Sequence, residues 1–361
     1  MKKKILLITG GTGGHVIPAQ NFANYLQDKK IDCKVILDKR GYKYISNFNG
    51  KINIIYGSNL SGTLIKKIFG LLSLLVGFIQ SFSLIITYRP NIVISFGSYA
   101  SFFPMLSCIV LKTFYDTKLY IHEQNSIIGR SNKFFLRYVD KVLLNFEILI
   151  DSKNKYNNKF FLVGLPKGKN VNFYVKNNID STKKFTIFIY GGSQGSEFIT
   201  NFGSEIIKSI DREKKINAEF IFQCPKHIIK KVSHEMKMLK SEITIKSYFN
   251  EIDKILNRSS IVISRAGAGT VSDLITYRVP SILIPLPTAK DNHQFYNACI
   301  LQKHDLAIIL DQNKNEFDRA KKYIYEIYKN KNIMKSINNK FDKILVKNSN
   351  SLIYKLITDE K

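Results

Sequence analysis

Cysteine is scarce in this sequence and follows no pattern. The four cysteines, Cys33, Cys108, Cys224 and Cys299, lie far apart, with no CxxC pair and no histidine at metal-ligand spacing. This arrangement indicates neither a zinc site nor a disulfide framework, and it fits a reducing compartment.

Two phosphate-site motifs are also missing. No GxxxxGK[ST] segment occurs, which excludes a P-loop, and no Asp-x-Asp pair occurs that could hold a divalent ion against a sugar nucleotide. We therefore expect any diphosphate site to work without a metal.

Acidic residues are few relative to basic ones. Lys and Arg number 55 against 28 Asp and Glu, which gives a formal net charge of +27. Such an excess favours anionic partners: nucleic acid, an acidic membrane or a phosphorylated substrate. The 361 residues, 45% hydrophobic and 23% charged, have the composition of a globular protein of about two domains.

One pattern occurs twice along the chain. Short β-rich runs alternate with helical stretches from residue 5 onward, and the alternation restarts at Phe185. Each half opens with a strand that ends in a glycine cluster, Gly10–Gly14 and Gly191–Gly195. The pattern predicts two α/β domains, each with a doubly wound parallel sheet, joined within the Lys- and Asn-rich stretch 167–184.

The glycine clusters favour phosphate binding. A glycine turn between a strand and a helix lets backbone N–H groups reach a phosphate, and the helix dipole adds positive charge there. One such loop could be only a tight turn, but a third, Ser264–Thr270, follows another β-rich run. Three loops in equivalent places make the purely structural explanation less attractive.

A dinucleotide-binding dehydrogenase is the nearest rival. Asp38 ends the second strand near the ribose-binding position, yet Val16 stands where that fingerprint requires its last glycine. Tyr25 and Lys29 have a catalytic-looking YxxxK spacing, but they lie on the first helix, where such a pair does not belong.

A long apolar run raises the question of a membrane span. Residues 68–88 include no charged residue, and a helix of that length could cross a bilayer. The run connects two strands expected in one parallel sheet, so both of its ends must lie on the same side, which excludes a span. Small or weakly polar residues recur in it at helical spacing: Gly70, Ser73, Gly77, Gln80 and Ser81. Part of the remaining apolar face is expected in the core, and the rest, after Lys66 and Lys67, fits a patch that dips into anionic lipid.

Five segments occur in a fixed order along the chain. They are Gly10–Ala19 (GGTGGHVIPA), His122–Lys133 (HEQNSIIGRSNK), Gly191–Gly195 (GGSQG), Ser264–Thr270 (SRAGAGT) and Pro285–Ala298 (PLPTAKDNHQFYNA). Together they resemble the MurG family of bacterial glycosyltransferases, which transfer N-acetylglucosamine from UDP-GlcNAc to lipid I and form lipid II of peptidoglycan.

The resemblance implies a GT-B fold, in which two doubly wound Rossmann-like domains face a central cleft. It implies an acceptor-binding, membrane-associating domain over residues 1–165, a UDP-GlcNAc domain over 166–340, and a C-terminal helix in 341–361 that returns to the first domain. It also implies an inverting enzyme without cofactor or metal that acts in cell-wall biogenesis, cell shape and cell division.

Carried over residue by residue, the resemblance implies substrate-binding positions in both halves. In the first half these are Thr12, Gly13, Gly14, Tyr99, Asn125 and Asn132. In the second half they are Lys167, Ser193, Phe249, Ala268, Gly269, Thr270, Val271, Ser272, Asp273 and Gln294.

Roles follow for some of these residues. Ser193 and the segment Ala268–Asp273 would hold UDP, with Asp273 on the ribose where the family usually has a glutamate. Gln294 would contact sugar hydroxyls, and Phe249 would lie against uracil.

The sequence departs from the family at two places. The loop Gly97–Ser101 has one glycine fewer than usual. Gly168 replaces an arginine aimed at the diphosphate, so Lys167 or Lys169 would have to supply that charge without bidentate geometry.

Inverting transfer needs a base for the acceptor 4-hydroxyl and stabilisation of the departing UDP. His15 is the leading base, since the start of a helix favours the neutral imidazole. It could instead cap the turn or orient an acceptor phosphate. Glu123 is the second possible base, and equally a carboxylate that positions Asn125 and nearby amides. We expect His122 to be structural and His293 to be a surface or supporting group.

These expectations define the partners. UDP-GlcNAc, lipid I and, through the region Lys66–Phe82, the anionic inner leaflet would place the protein at the cytoplasmic side of the cell membrane as a peripheral protein. A GT-B transferase with a different lipid or small-molecule acceptor is the alternative. A nucleic-acid-binding protein would interleave aromatic residues with lysines. The tyrosines near Tyr323 follow a core stripe instead, so we expect no nucleic-acid partner.

Overall fold

The computed structural model divides into two compact units. It describes residues 3–46, 48, 50–57, 63–149, 156–169, 171, 184–192, 195–330 and 333–359. The first unit is Met1–Val171 with Val346–Lys361, and the second is Asn172–Leu345. This division lies within the stretch 167–184 that the composition predicts, and slightly after the boundary at residue 165 that the family resemblance implies.

Strands and helices alternate through both units. The strands are β1 (Lys4–Ile8), β2 (Asp32–Asp38), β3 (Lys51–Ile55), β4 (Ile92–Ser95), β5 (Lys118–Glu123), β6 (Lys141–Leu144), β7 (Phe160–Leu162), β8 (Phe185–Tyr190), β9 (Ala218–Gln223), β10 (Glu242–Lys246), β11 (Ile261–Ser264), β12 (Ser281–Leu283) and β13 (Ala307–Ile309). The α-helices are α1 (Gly13–Asp28), α2 (Lys39–Tyr42), α3 (Leu64–Tyr88), α4 (Phe102–Leu111), α5 (Arg130–Phe135), α6 (Glu197–Glu213), α7 (Ile229–Met236), α8 (Ile252–Arg258), α9 (Ala268–Tyr277), α10 (His293–Gln302), α11 (Phe317–Lys329), α12 (Ile333–Asp342) and α13 (Ser349–Thr358).

The first unit is built on a parallel sheet in the order β3-β2-β1-β4-β5-β6-β7. Side chains alternate across this sheet. Ile5 and Leu7 pack with residues of α1 and α13, whereas Leu6 and Ile8 pack with residues of α3, α4 and α5. Helices therefore cover both faces. The strand order reverses between β1 and β4, and ligands of such folds bind at the carboxyl ends of the strands near that point.

The second unit repeats this architecture. Its parallel strands follow the order β10-β9-β8-β11-β12-β13, and the order reverses between β8 and β11. The predicted pair of doubly wound Rossmann-like domains is confirmed.

Helix α3, which holds the long apolar run, packs through its small residues. Gly77 and Ser81 face inward, and a Cβ on Gly77 would lie only 2.0 Å from the carbonyl oxygen of Tyr56. Large apolar side chains point outward: Leu72, Leu75, Val76 and Ile79 are 53%, 47%, 44% and 66% exposed. The side chains of residues 64–69 and 71, which include Lys66 and Lys67, lie outside the described residues. Across the described ranges, no helix combines the length and hydropathy needed to cross a membrane.

Helix α13 returns to the first unit, as expected. Ile353 and Ile357 are buried in the cluster that contains Ile5 and Leu7. Lys29 Nζ lies 5.2 Å from the ring centre of Tyr25 and 5.3 Å from that of Tyr354. The Tyr25 and Lys29 pair thus joins α1 to α13 by a cation–π contact.

Candidate functional site

The first glycine turn is fixed by its surroundings. Gly10 and Gly11 have φ values of +154° and +75°, and a Cβ on Gly10 would lie 2.6 Å from Cβ of Ala100. Asp38 Oδ1 accepts hydrogen bonds from Gly11 N at 2.8 Å and Gly41 N at 2.9 Å, and this side chain is 1% exposed. Because the carboxylate is used inside the fold, it is not available to a ribose, and the dinucleotide alternative does not fit.

Helix α1 begins directly after this turn. Thr12 is its N-cap, with extended backbone and no side-chain cap bond, and Gly13 and Gly14 are its first two residues. Thr12 and Gly14 are exposed, whereas Gly13 is buried. The first N–H groups of a helix have no partner within it, and such an end suits an anion.

His15 is held through one ring nitrogen. Its Nδ1 lies 2.8 Å from the carbonyl oxygen of Phe96 and 2.9 Å from Oε1 of Gln124. Both oxygens are acceptors, so Nδ1 carries the proton of the neutral ring and Nε2 carries the lone pair. This tautomer, assigned from the partners, is the one that a general base needs at Nε2.

Glu123 holds the loop that follows β5. Its Oε1 accepts from N and Nδ2 of Asn125, at 3.0 and 3.2 Å. Its Oε2 accepts from Gly129 N at 2.9 Å and from Asn132 Nδ2 at 2.8 Å. The side chain is 2% exposed. The geometry favours the positioning role over the role of a base, since both oxygens already accept two bonds.

His122 is fully buried beside this loop. Its ring stacks on that of Phe96, with centroids 5.1 Å apart, and its Nε2 lies 3.0 Å from the carbonyl oxygen of Gly164. Burial lowers the pKa of His122 to about 4, the bond to Gly164 opposes this, and the nearby His15 lowers it further. The imidazole is therefore neutral at physiological pH.

Tyr99, Lys167 and Lys169 all belong to the first unit, whereas the resemblance places the two lysines in the second domain. Tyr99 is half-exposed and begins a 3₁₀ turn that precedes α4. The carbonyl oxygen of Lys167 accepts from Asn350 Nδ2 at 2.8 Å, and Lys169 Nζ pairs with Asp28 Oδ1 at 2.7 Å.

The second glycine turn follows β8. Gly192 and Gly195 have φ values of +85° and +74°, which favour glycine. Ser193 lies outside the described residues.

Helix α9 presents the segment Ala268–Asp273 at its N-terminus. Gly267 is the N-cap. In the part of the chain that the structure describes, no atom beyond the adjoining residues and the backbone of α9 lies within 4 Å of where a Cβ on Gly269 would stand. Val271 and Ser272 are buried, whereas Ala268, Thr270 and Asp273 are half-buried. The first turn thus leaves room for a ligand at Gly269.

Tyr190 ends β8 and lies opposite Ser264, the last residue of the neighbouring strand β11. Burial and the charge of Asp273 raise the pKa of the Tyr190 hydroxyl, while a hydrogen bond with the Thr270 side chain opposes this.

Phe249 and Gln294 have structural contacts of their own. Phe249 is 8% exposed, and its ring packs edge-on against Phe188 at 5.9 Å. A contact with uracil would therefore come from the backbone near Phe249. Gln294 Oε1 accepts from Leu286 N at 3.0 Å and so joins α10 to the loop before it.

Arg265, next to the first turn of α9, has a supporting role that the sequence did not indicate. The side chain is buried, and its Nη1 donates to the carbonyl oxygens of Ile284 and Pro285 at 3.0 and 3.2 Å. Its Nη2 donates to Gln312 Oε1 at 2.6 Å. The motif SRAGAGT contains this arginine, but its partners lie far away along the chain. Arg265 supports the loop between β11 and α9.

Across the described ranges, no group of three or more His, Cys, Asp or Glu residues is arranged to hold a metal ion.

Comparison with known families identifies both units. Residues 5–144 match the glycosyltransferase family 28 N-terminal domain, and residues 186–349 match the glycosyltransferase family 28 C-terminal domain. The fold and these matches define a UDP-sugar glycosyltransferase of family 28.

Relatives of known name place the chain in one family within the glycosyltransferase family 28 proteins. Proteins named UDP-N-acetylglucosamine--N-acetylmuramyl-(pentapeptide) pyrophosphoryl-undecaprenol N-acetylglucosamine transferase, from Wolbachia sp. subsp. Drosophila simulans and from Rickettsia canadensis, are each 30% identical to this chain. The matches cover 98% of both chains for the first and 92% of both for the second. The crystal structure of Acinetobacter baumannii MurG has the same fold, with a TM-score of 0.79, 22% identity and 99% coverage of both chains. The chain belongs to the MurG family.

Proposed function

We propose that the protein transfers N-acetylglucosamine from UDP-GlcNAc to the MurNAc 4-hydroxyl of lipid I, with inversion, and forms lipid II. The observation that carries this proposal is the 30% identity, over 98% of both chains, with a protein named for that transfer. The tautomer of His15 supports it, because a lone pair on Nε2 can accept the hydroxyl proton.

The reaction divides between the two units. In the first unit, Nε2 of His15 takes the proton of the acceptor hydroxyl as its oxygen attacks the anomeric carbon. Thr12, Gly13, Gly14, Asn125, Asn132 and Tyr99 complete the binding surface there. The bond from the anomeric carbon to the UDP oxygen breaks on the opposite side.

The second unit receives the departing UDP. The N–H groups of the first turn of α9 and its dipole stabilise negative charge on the diphosphate. Asp273 accepts hydrogen bonds from the ribose hydroxyls, Gln294 binds the sugar, and Ser193 and the backbone at Phe249 hold the rest of the nucleotide. Lys167, which belongs to the first unit, supplies the charge that the family places on an arginine.

The proposal includes a peripheral position on the cytoplasmic side of the cell membrane. Leu72, Leu75, Val76 and Ile79 follow one face of α3 and are exposed. An apolar face of this kind, on a protein with a net charge of +27, fits anionic lipid. At this surface the protein would meet its membrane-anchored acceptor. Its product would be used in cell-wall growth, cell shape and cell division.

The test is an assay with synthetic lipid I and UDP-GlcNAc that measures UDP release and the disaccharide product. We expect His15→Ala and Asp273→Ala each to lower turnover by about 10²- to 10⁴-fold while the thermal unfolding curve is retained. His234→Ala, an exposed histidine on α7, is the matched control and should keep full turnover. Near-normal rates in both site variants would overturn the site, and turnover with diacylglycerol in place of lipid I would favour the alternative acceptor.

A further inference from the structure

A chain of buried hydrogen bonds leads away from His15 into the first unit. Gln124, 2% exposed, offers its Oε1 to His15 Nδ1 at 2.9 Å. The amide nitrogen of Gln124 lies 2.8 Å from the carbonyl oxygen of Phe96, 3.1 Å from that of His122 and 3.3 Å from His122 Nδ1. His122 Nε2 then reaches the carbonyl oxygen of Gly164 at 3.0 Å.

The hydrogen bond at the Gly164 end of this series fixes the donor and the acceptor in each of the others. The carbonyl oxygen of Gly164 can only accept, so His122 Nε2 carries the proton. His122 is neutral because it is fully buried, and its Nδ1 therefore has a lone pair that faces the Gln124 amide nitrogen.

The orientation of the Gln124 amide follows from these partners. The three groups around its nitrogen, two carbonyl oxygens and Nδ1 of His122, are all acceptors, so the NH₂ end must point at them. The carbonyl end then points at His15. A flipped amide would place its oxygen against three acceptors and its NH₂ against the Nδ1–H of His15.

We propose that Gln124, oriented by His122, is a positioning residue that keeps the proton of His15 on Nδ1 and leaves Nε2 free to act as the base. The inference rests on the proposed function, in which His15 accepts the proton of the acceptor hydroxyl. After that transfer the imidazolium still shares its Nδ1–H between Phe96 O and Gln124 Oε1, and both dipoles are already oriented to stabilise the new charge.

A purely structural role for Gln124 can be separated from this one, because the first unit contains a second buried glutamine. Gln20, 7% exposed, accepts from Ser46 N at 2.9 Å through Oε1 and donates to the Ser46 carbonyl oxygen through Nε2. Gln124→Met and Gln20→Met therefore each remove one buried, doubly bonded amide at nearly constant volume. Only the first removes a partner of His15.

Kinetics of these variants test the proposal. We expect Gln124→Met to lower kcat about tenfold or more, with the KM values for UDP-GlcNAc and lipid I unchanged. The reason is that the imidazolium of His15 loses Gln124 Oε1, one of the two oxygens that accept its Nδ1–H bond. Gln20→Met should keep kcat within about twofold at a similar loss of stability. His122→Phe, which keeps a ring to stack on Phe96, should lower kcat in the same direction by a smaller factor. Equal losses of kcat in Gln124→Met and Gln20→Met would overturn the proposal.

Nitrogen NMR of the full chain, labelled at histidine, gives a readout without substrate. The sequence has six histidines, and His15→Ala assigns the signal of interest. We expect wild-type His15 to be protonated at Nδ1 and not at Nε2, and we expect a fraction of the Nε2–H form in Gln124→Met. A wild-type His15 protonated at Nε2, or a Gln124→Met signal identical to wild type, contradicts the inference. Because the spectrum needs no turnover, it remains decisive if lipid I proves not to be the acceptor.

Discussion

At the scale of a single residue, the carboxylate of Glu123 holds the loop after β5 in place. Its two oxygens accept four hydrogen bonds, two from Asn125, one from Gly129 N and one from Asn132 Nδ2. Glu123→Gln would turn one oxygen into an NH₂ group that faces donors, at a cost of about 1–3 kcal/mol. We expect Glu123→Gln to lower the urea midpoint of unfolding, measured by circular dichroism. We also expect it to lower turnover, but by less than the loss expected when a catalytic base is removed.

A catalytic base at this position would behave differently. If Glu123 took the proton, Glu123→Gln would lose about 10²- to 10⁴-fold in turnover with little change in stability. Glu205→Gln, at an exposed position on α6, controls for the substitution itself and should change neither quantity.

The sequence predicts which residues to examine here. For Glu123 it leaves two roles open, a base or a carboxylate that positions Asn125 and nearby amides. Glycines at a turn and a histidine after them indicate a site because their spacing is local. The four donors around Glu123 come from residues 125–132, close to it along the chain. The partners of Arg265 at Pro285 and Gln312 lie in separate loops that only the folded chain brings together. A buried carboxylate therefore resembles a base until its partners are known.

At the scale of an element, the first turn of α9 leaves open space beside Gly269. Among the described residues, a Cβ on Gly269 would meet no atom within 4 Å outside its own helix backbone and its chain neighbours, and the residue is already helical. Gly269→Ala should leave stability unchanged or raise it by up to about 1 kcal/mol, since alanine favours the helix. The added methyl group would stand where the diphosphate of the donor is proposed to approach. We expect the KM for UDP-GlcNAc to rise about tenfold, measured by initial rates at saturating lipid I.

Gly203→Ala in α6 is the contrasting substitution. Its Cβ would lie 2.7 Å from Cγ2 of Ile189, so it should destabilise the second unit through crowding. An unchanged KM in Gly269→Ala would show that the donor does not approach this turn.

Helix α3 could be predicted from the sequence as an element, but the contact that orients it could not. The sequence indicated a helix that does not span a membrane and a stripe of small residues at helical spacing. That the stripe packs inward depends on the carbonyl oxygen of Tyr56, which comes so close that only a glycine fits at position 77. The sequence pattern cannot show this contact, because Tyr56 belongs to the segment after β3.

For the whole molecule, the repeated pattern of strand, glycine turn and helix predicted both domains and their sheet type. The pattern works because each half buries its own core, so the periodicity of each half is complete by itself. The local sequence pattern does not show that the C-terminal segment belongs to the first unit. Residues from Val346 onward join it, and the burial of Ile353 and Ile357 against β1 that holds α13 there is a tertiary contact without a local signal.

The exposed apolar face of α3 and the positive charge of the whole chain lead to a prediction about membranes. Substituting Leu75 and Ile79 together by serine should weaken binding to phosphatidylglycerol vesicles about tenfold or more, since each apolar side chain that enters lipid contributes about 1.5–3 kcal/mol. Sedimentation with vesicles measures this, and added salt should weaken the binding further because the anionic surface attracts the chain electrostatically. Met238→Ser is the matched control: that side chain is 85% exposed in the second unit, so its loss should leave binding unchanged. If the double variant sediments like wild type, the attraction is electrostatic alone and α3 does not enter the lipid.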